Sequence, residues 1–458
     1  MPRPLLLTGC RLVDGLSDGA VDDRSILVED GRIRAVEPGR PDVPGAEVVD
    51  LAGRTVLPGL IDTHVHTTLM DRACLPLFLA AGVTSVRDVG GRIDKTMALR
   101  ADLASGAQVG PRMYVYGPLL DGAVASMPVA SPVYEILDFL PSPEHVPAKV
   151  GGLLDAGVDG VKLYFTLPPE TAKAVIAFVD HRVPVTGHLG YSHSMELIEA
   201  GIDGLEHVWI SPYNDICALD MQFGADKEVT AMDGKFWRLT MNGWIQADLD
   251  GDRAQRWFGA MVDHQVHMGT TLDLLWVAKC GLEAACADAD RRFIPPMALD
   301  RQRWMSKRRP DGDWDVYPGF DLDMGARALE RHQEATRRLH EAGGVVVGGT
   351  DCGGLAYPPP GFALLREIEL MAEAIGAIAA IKSVTSVPAT YLRREADVGA
   401  VAPGRCADLL VVDGDPLRDV RALRNLEAVY LGGVRHDPAD LLAMAPSRDL
   451  VEPAQATG

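Results

Sequence analysis

Apolar and polar residues alternate near both ends of the chain. The segment "SILVEDGRIRAVEPG" alternates around Asp30-Gly31, a pair that favours a two-residue hairpin turn. Close to the other end, "ADLLVVDGDP" and "LEAVYLGGVRHD" have the pattern of short strands, and the second turns at Gly432-Gly433. Because both ends are rich in strands, we predict that residues 1–58 and 396–440 form one small β-sandwich domain, with residues 441–458 as a loosely held tail.

The middle of the chain has a different pattern, in which a helical run ends at a glycine and a short apolar strand follows. Glycine after a helix supplies the left-handed conformation that ends many helices. Helix and strand in repeated alternation predict parallel βα units, and their number favours a closed (β/α)₈ TIM barrel over residues 59–395. A doubly wound sheet is the alternative, but the chain has no GxGxxG or Walker-type motif. The repeats are "LAAGVTSVRDV", "LDAGVDGVKLY" and "IEAGIDGLEHV", with Gly82, Gly157 and Gly201 at the helix ends.

Each of five candidate strands ends in a polar residue of metal-binding or basic type. In a barrel of parallel strands the chemistry lies at the carboxyl ends of the strands. Residues i and i+2 of a strand point to the same side, so the HxH of "LPGLIDTHVHTTL" can direct both imidazoles at one cation. A single histidine is usually a satisfied core residue, but four with an aspartate form a plausible zinc site. The residues are His64, His66, Lys162, His188, His207 and Asp351.

Lys162 differs from the others because a lysine on a buried strand is costly as a cation. Its stem could extend to solvent, or the amine could pair with an acid such as Asp159. Alternatively, burial and nearby metal charge hold the amine neutral, so that it adds carbon dioxide and becomes a carbamate. A carbamate has two oxygen atoms and can bridge two metal ions.

Composition restricts the partners. The net charge of −20 opposes binding to nucleic acid or to an anionic membrane, and no apolar run approaches the length of a membrane span. Seven scattered cysteines without a CxxC pair, and an N-terminus without signal-peptide features, predict free thiols in a soluble cytoplasmic protein.

All seven tryptophans lie between Trp209 and Trp314, in a stretch that is long for the βα units it must contain. We predict a Trp-rich insertion at about 211–320, which either covers the barrel mouth or packs a small core of its own. Tyr164, Tyr191 and Trp209 are candidate substrate contacts. The basic run "RQRWMSKRRP" could bind a carboxylate, but such runs are more often solvated helix faces.

Together, "GLIDTHVHTTL", "GVDGVKLY", "VTGHLG", "GIDGLEHV" and "GGTDCG" resemble the amidohydrolase superfamily, and most closely its imidazolonepropionase-like, prolidase-like binuclear branch. The segment "VGAVAPGRCADLLVVDGDPL" is similar to the end of that fold, which returns to the small β-sandwich. The resemblance implies two divalent metal ions, with zinc favoured. One would be held by His64, His66 and Asp351 and the other by His188 and His207, with carboxylated Lys162 between them.

The resemblance also implies a reaction on a small molecule and suggests a homodimer. Water activated by the metal ions would attack an amide carbonyl of an N-acyl amino acid, a dipeptide or a cyclic amide. Asp351 would transfer the proton to the leaving nitrogen, with Lys162 as the other catalytic residue. Ester, lactone or phosphotriester hydrolysis at the same site, a one-metal imidazolonepropionase or deaminase, and an inactive scaffold are the alternatives.

Several neighbouring residues have two interpretations. Asp62, Asp88 and Glu206 either orient the histidines or cap local structure. Cys352 follows Asp351 directly, but no histidine is paired with it in the pattern, so we predict a structural role.

Overall fold

The computed structural model describes residues 3–123, 126–127, 131–217, 234–281, 284–285, 288–293, 322–354 and 358–446. The basic run from Arg301, a large part of the predicted Trp-rich insertion and most of the predicted tail lie outside these residues. In the parts that are described, no helix is long and apolar enough to cross a membrane.

The N-terminal strands begin a mixed sheet. Strands β2 and β3 pair antiparallel, and the turn between them has positive φ at both central residues, 49° at Asp30 and 76° at Gly31. Positive φ at both positions is what a type I′ hairpin turn requires, so the predicted hairpin is confirmed. The strands are β1 (Leu5–Leu12), β2 (Val21–Glu29), β3 (Arg32–Pro38), β4 (Glu47–Asp50) and β5 (Thr55–Pro58).

Ten short strands follow, and all their pairings are parallel. Three of them form one sheet in the order β6-β7-β8, and seven form another in the order β10-β9-β11-β12-β13-β14-β15. The strands are β6 (Leu60–Val65), β7 (Val83–Asp88), β8 (Arg112–Val115), β9 (Leu119–Asp121), β10 (Leu137–Phe139), β11 (Val161–Leu163), β12 (Val185–Gly187), β13 (Gly204–Glu206), β14 (His267–Gly269) and β15 (Val345–Val347).

Backbone hydrogen bonds join the two parallel sheets at both sides. The Asp159 amide donates to the Val115 carbonyl over 2.7 Å, which links the end of β8 to the start of β11. On the other side, the chain after β15 runs beside β6, where the Asp351 amide donates to the His64 carbonyl over 2.8 Å. The His66 amide in turn donates to the Cys352 carbonyl over 2.7 Å. Strand β6 is thus held directly against the segment that carries Asp351.

Helices connect most of the parallel strands. As predicted, Gly82, Gly157 and Gly201 follow helices with φ of 83°, 78° and 92°. The helices are α1 (Pro76–Ala80), α2 (Ile93–Ser105), α3 (Val146–Asp155), α4 (Pro169–Val179), α5 (Ser194–Glu199), α6 (Tyr213–Ile216), α7 (Gly234–Gln246), α8 (Asp252–Asp263), α9 (Asp273–Cys280), α10 (Leu322–Glu341), α11 (Phe362–Ile375), α12 (Ala377–Lys382), α13 (Ser386–Tyr391) and α14 (Pro438–Met444).

The C-terminal strands complete the mixed sheet. Strand β16 (Leu409–Val412) pairs antiparallel with β5, so strands from both chain ends belong to one sheet. Strands β17 (Leu426–Leu431) and β18 (Val434–His436) form the second predicted hairpin, with φ of 54° and 77° at Gly432 and Gly433. Helix α14 then extends past residue 440 into the predicted tail, and its Leu441 is buried.

Two apolar cores correspond to these sheets. Residues from both termini, including Ile26, Val56 and Leu409, share a core on the mixed sheet. A larger core surrounds the parallel strands, with residues such as Val161 and Val185. The parallel strands therefore have the near-continuous apolar character of strands covered by helices.

Candidate metal centre

The HxH pair lies at the carboxyl end of β6 beside Asp351. His64 Nε2 is 3.5 Å and His66 Nε2 is 3.0 Å from the same oxygen, Asp351 Oδ1. One ligand atom from each of the three residues lies within 4.8 Å of the others, a spacing that one metal ion could bridge. The Asp351 side chain is 17% exposed and the His64 side chain 1% exposed. Asp351 is thus the member of the group that solvent or substrate can reach.

The position of Asp351 depends on close backbone contact. A Cβ at Gly349 would lie 2.7 Å from the His64 Cβ, so only glycine lets the two segments approach this closely. Asp351 itself has a φ of 57°, a left-handed conformation that is uncommon outside glycine. The "GGTD" segment therefore has to turn sharply against β6 to bring the carboxylate to the histidines.

Hydrogen bonds fix the orientation of both HxH rings. His64 Nδ1 donates to Glu206 Oε2 over 2.8 Å, and His66 Nδ1 donates to the Gly90 carbonyl over 3.0 Å. In each ring Nε2 is the atom left to face Asp351. Burial, and then the Lys162 charge, lower the pKa of His64 to about 4. Burial also acts against the charged form of His66, but the hydrogen bond and charge of Asp351 outweigh it and raise the pKa of His66.

Lys162 lies on β11 and is fully buried. Its Nζ has no hydrogen-bond partner among the described residues, so neither simple explanation for this lysine holds. The stem does not extend to solvent, and Asp159 pairs instead with Arg100 and Arg394 at 3.0 Å each. Burial, only partly offset by the Glu206 carboxylate, lowers the pKa of Lys162 to about 7. A neutral amine is therefore accessible near neutral pH.

His188 and His207 follow β12 and β13 directly. Their ring centroids are 4.5 Å apart, and the His207 ring is 4.6 Å from that of His64. His207 Nδ1 donates to Thr271 Oγ1 over 2.8 Å, whereas His188 Nε2 is buried without a partner in the described part of the chain. Burial, followed by the neighbouring charges, lowers the pKa of both rings well below the ordinary value. Both imidazoles are thus neutral and suited to metal ligation.

The three acids near the strand ends have different partners. Of these three acids, Glu206 is the one that accepts a hydrogen bond from a histidine ring. Asp62 accepts from the Thr350 hydroxyl over 2.7 Å and from the His64 backbone amide over 3.1 Å. Asp88 binds the backbone amide of Thr67 over 2.8 Å. Asp62 and Asp88 therefore fix the backbone around the HxH, and Glu206 orients a ring.

Two of the three candidate substrate residues are buried, and the third is half-buried. Tyr164 is buried with its ring centroid 5.0 Å from that of His188, and Tyr191 is half-buried. Trp209 is 3% exposed, and its Nε1 donates to Thr271 Oγ1 over 3.3 Å. Trp209 thus packs beside His207 and shares its hydrogen-bond acceptor.

Three described tryptophans of the insertion contact residues that lie before it in the chain. Trp244 Nε1 donates to the Trp209 carbonyl over 2.7 Å, and Trp257 Nε1 donates to Ser194 Oγ over 2.9 Å. The Trp237 ring is tilted by 36° against that of Trp209, with ring centroids 4.8 Å apart. These contacts join the described part of the insertion to residues that precede it, so both interpretations of the insertion stay predictions.

Cys352 has the structural environment that we predicted. Its thiol is fully buried and lies 3.1 Å from the Pro358 carbonyl and 3.4 Å from the Met70 sulfur. Burial raises the pKa of the thiol well above its ordinary value, which disfavours the nucleophilic thiolate.

Two residues beside the site were not singled out from the sequence. Thr271 lies just after β14, a three-residue strand too short to show a hydrophobic pattern. Arg87 lies in β7, where an alternating pattern gives no reason to expect a fully buried charge. The "TT" at 270–271 after an apolar residue and a glycine was the one local signal for a strand end.

Comparisons with known proteins identify the family of this chain. The model of the amidohydrolase family matches residues 55–435, so the chain belongs to the amidohydrolase family. This is a family of metal-dependent hydrolases that act on carbon–nitrogen bonds.

Individual relatives match more locally. An L-hydantoinase of Paenarthrobacter aurescens is 31% identical over 165 residues, 34% of this chain and 35% of the relative. An adenine deaminase 2 of Bradyrhizobium sp. (strain ORS 278) is 27% identical over 203 residues, 40% of this chain and 32% of the relative. The matches thus span about a third of the length of these curated relatives.

Among solved structures, a Xaa-Pro dipeptidase with bound methionine superimposes with a TM-score of 0.67 at 21% identity. The superposition covers 95% of this chain and 100% of the dipeptidase. At this identity the likeness concerns the fold, which is α/β.

Proposed function

We propose that this protein is a binuclear metal-dependent amidohydrolase that cleaves an amide bond of a small molecule. The observation that carries the proposal is a pair of buried nitrogen atoms, Lys162 Nζ and His188 Nε2, without partners among the described residues. A buried polar atom normally has a hydrogen-bond partner, and its absence calls for an explanation such as a bound ion. The ring of His207 is 4.6 Å from that of His64 and 4.5 Å from that of His188, which links His188 to the His64–His66–Asp351 group. Besides burial, the charge of Lys162 lowers the pKa of His64, His188 and His207, so the lysine faces the same site.

The residues fit two ions. His64, His66 and Asp351 would hold one, and His188 and His207 the other. Lys162 would bridge them after its neutral amine forms a bond to the carbon of carbon dioxide and releases a proton, which leaves a carbamate with two oxygen ligands. Neutral imidazoles and carboxylate-type oxygens are ligands that zinc accepts, so zinc is the ion that we favour.

Divalent ions bound here would acidify a water molecule and polarise a substrate carbonyl. Asp351 would accept a proton at its carboxylate and donate it to the leaving nitrogen. Burial raises the pKa of Asp351, but the His66 hydrogen bond and the neighbouring histidine charges lower it more. The carboxylate is therefore ionised near neutral pH, as the first proton transfer requires.

We also propose a closed barrel and a sandwich for the fold that carries this site. The eight barrel strands would be β6, β7, β8 together with β9, and β11 to β15, and β10 would be an addition at the edge. The barrel would close through the hydrogen bonds between β6 and the segment after β15. The barrel would occupy 59–395. Residues 1–58 and 396–440 would form the β-sandwich, which the pairing of β5 with β16 supports.

For the substrate we propose an N-acyl amino acid, a dipeptide or a cyclic amide. The likeness to an L-hydantoinase supports the cyclic amide in particular. Tyr164, Tyr191 and Trp209 remain the proposed substrate-side residues. We further propose a cytoplasmic homodimer, and the free thiols of the six described cysteines suit a reducing compartment.

One alternative has an observation in its favour. The likeness to an adenine deaminase supports a one-metal deaminase, in which His64, His66 and Asp351 would hold the ion without help from Lys162. Hydrolysis of an ester, lactone or phosphotriester would use the same residues as amide hydrolysis. An inactive scaffold is disfavoured, because all six expected ligand positions carry a suitable residue.

The test combines metal analysis with a substrate panel. We expect about two zinc equivalents per chain in the purified protein by elemental analysis. We expect turnover of at least one N-acyl amino acid, dipeptide, hydantoin or lactam. One equivalent together with deamination of adenine would favour the deaminase, and turnover of lactones alone would exclude the amide reaction.

A further inference from the structure

A buried ion pair lies directly behind the HxH. Arg87 is 0% exposed, and its Nη2 donates to Glu206 Oε1 over 2.5 Å. Its Nη1 donates to the Tyr391 hydroxyl over 2.8 Å, and its Nε donates to the Thr63 carbonyl. The guanidinium is thus held by three strong contacts from different parts of the fold.

Glu206 connects this guanidinium to the metal ligands. Its Oε1 accepts from Arg87 and, over 2.6 Å, from the Thr186 hydroxyl. Its other oxygen, Oε2, accepts from His64 Nδ1. Oε1 therefore binds Arg87 and Thr186, whereas Oε2 binds His64. Donors on both sides fix the plane of the carboxylate. An imidazole that donates from Nδ1 has its lone pair on Nε2.

The stability of the fold alone does not explain why the Arg87–Glu206 ion pair is buried. Removing two charges from water is expensive, and a well-packed apolar replacement of a buried ion pair is often neutral or stabilising. A charged carboxylate does one thing at this position that an apolar residue cannot, namely accept a hydrogen bond from His64 Nδ1. A buried carboxylate remains charged only if a cation such as Arg87 compensates it.

We propose that Arg87 is a positioning residue of the metal centre. It orients Glu206, and Glu206 holds His64 in the tautomer whose Nε2 lone pair faces Asp351. Arg87 touches neither metal nor substrate in this role. The inference rests on the proposed function, because His64 is positioned for an ion that only that proposal supplies.

The experiment measures zinc binding to the metal-free protein by competition with a chromophoric chelator. We expect Arg87→Met and Glu206→Gln each to weaken binding of one of the two ions about 10- to 100-fold, the usual cost of losing a residue that orients a ligand. The double variant should be no weaker than the weaker single variant, because Arg87 acts through Glu206. Additive losses, or affinity equal to wild type in the Arg87 variant, would overturn the proposal.

A matched control separates positioning from folding. Arg112→Met removes another arginine–carboxylate pair, with Asp408 at 3.2 Å. Arg112 is the first residue of β8, whereas the histidines lie at the carboxyl ends of their strands. We expect Arg112→Met to lower the Tm of the metal-free protein without changing zinc affinity. If Arg87→Met does not fold, Arg87→Lys retains the buried charge without the planar fork, and the same loss of affinity is expected.

A second readout needs neither an Arg87 variant nor bound metal. In the metal-free wild type, ¹⁵N NMR of labelled histidine should show His64 protonated at Nδ1, assigned by comparison with His64→Asn. Protonation at Nε2 instead would overturn the proposal even if no Arg87 variant folds. A wild type that binds no zinc but shows the Nδ1 tautomer would contradict the proposed function and leave the Arg87–Glu206–His64 connection intact.

Discussion

The two halves of the candidate metal centre are held in different ways. In the first half, His64, His66 and Asp351 contact one another, and both rings have hydrogen-bond partners at Nδ1. In the second half, Lys162 and His188 each carry a nitrogen without a partner in the described chain. The first half is complete from protein groups alone. The two buried nitrogens of the second half need a partner that the described chain does not supply, such as a second metal ion. This difference is why we favour two ions over one.

The largest expected effect comes from removing the charge of the first half. Asp351→Asn retains the size of the side chain but abolishes both a ligand charge and the proton acceptor. We expect amide hydrolysis to fall at least about 10³-fold, together with loss of bound metal. Steady-state kinetics on the best panel substrate and elemental analysis measure both.

The neighbouring residue provides the control for this variant. Cys352→Ala removes the adjacent buried thiol, which we place outside the chemistry. Its activity should stay within about twofold of wild type, as for a change that removes no interaction made in the transition state. A loss in Cys352→Ala as large as in Asp351→Asn would contradict the assignment.

The second half is tested through its lysine. Lys162→Met should reduce the metal content from two ions to one and lower activity about 10²-fold or more, because the bridging ligand is lost. In Lys162→Ala, which leaves space where the lysine was, acetate should restore part of the activity, since a small carboxylate can supply the two oxygen atoms of the carbamate. Lys173→Met, which removes the exposed ion pair with Glu196, is the control and should change neither quantity.

A Lys162→Met variant without these losses would remove the distinction between the two halves of the metal centre. If Lys162→Met retains full activity and the wild-type metal content, the lysine is not a ligand and the one-metal alternative is preferred. If acetate gives no rescue in a variant that has lost one ion, the lysine acts without carboxylation.

A smaller effect is expected from the partner of His207. Thr271→Val removes the oxygen that accepts from His207 Nδ1 and from Trp209 Nε1. We expect zinc binding in the second half to weaken about 10- to 100-fold, with the first half unchanged. Thr336→Val, which removes a buried hydroxyl bonded to the His332 carbonyl over 2.8 Å, should leave both affinities unaltered.

The smallest effect concerns a buried histidine outside both halves. Burial lowers the pKa of His332 to about 3, below the ordinary value of 6.5. The unfolded chain therefore takes up a proton between these values that the folded chain does not, and stability is lost as the pH falls below 6.5. Replacing His332 with Leu should reduce the loss of unfolding free energy between pH 7 and pH 5 by about 2 kcal/mol.

Chemical denaturation of the metal-free protein at the two pH values measures this difference. An unchanged pH dependence in His332→Leu would show that acid sensitivity arises elsewhere, for example from the metal ligands themselves. Zinc affinity at pH 7 should be the same in the variant and the wild type, because His332 affects stability and not the metal centre.

Local features of the fold were predictable from the sequence. The Asp30-Gly31 and Gly432-Gly433 turns were confirmed, because a hairpin turn depends on two residues that tolerate positive φ. The glycines that follow α1, α3 and α5 were confirmed for a similar local reason. Strand β14 was not recognised, since three residues show no periodicity and its neighbours in space come from distant parts of the chain.

For the site, the residue types of the candidate ligands could be identified from strand ends, but their supports could not. Asp88 and Glu206 both end a short strand, yet Asp88 binds a backbone amide and Glu206 a histidine ring. The difference arises from which strand lies opposite each carboxylate.

The sequence by itself determined the two hairpins, the helix–strand alternation, the six candidate ligands and the negative charge, because each depends on residue type and short-range spacing. Only the tertiary structure decided that Asp351 turns against His64, that Lys162 has no ion-pair partner, and that Arg87 is joined to His64 through Glu206. These contacts join residues more than a hundred positions apart, or depend on burial. The physical reason is that hydrogen bonding and desolvation are set by which groups meet in space, and strand pairing over long distances brings those groups together.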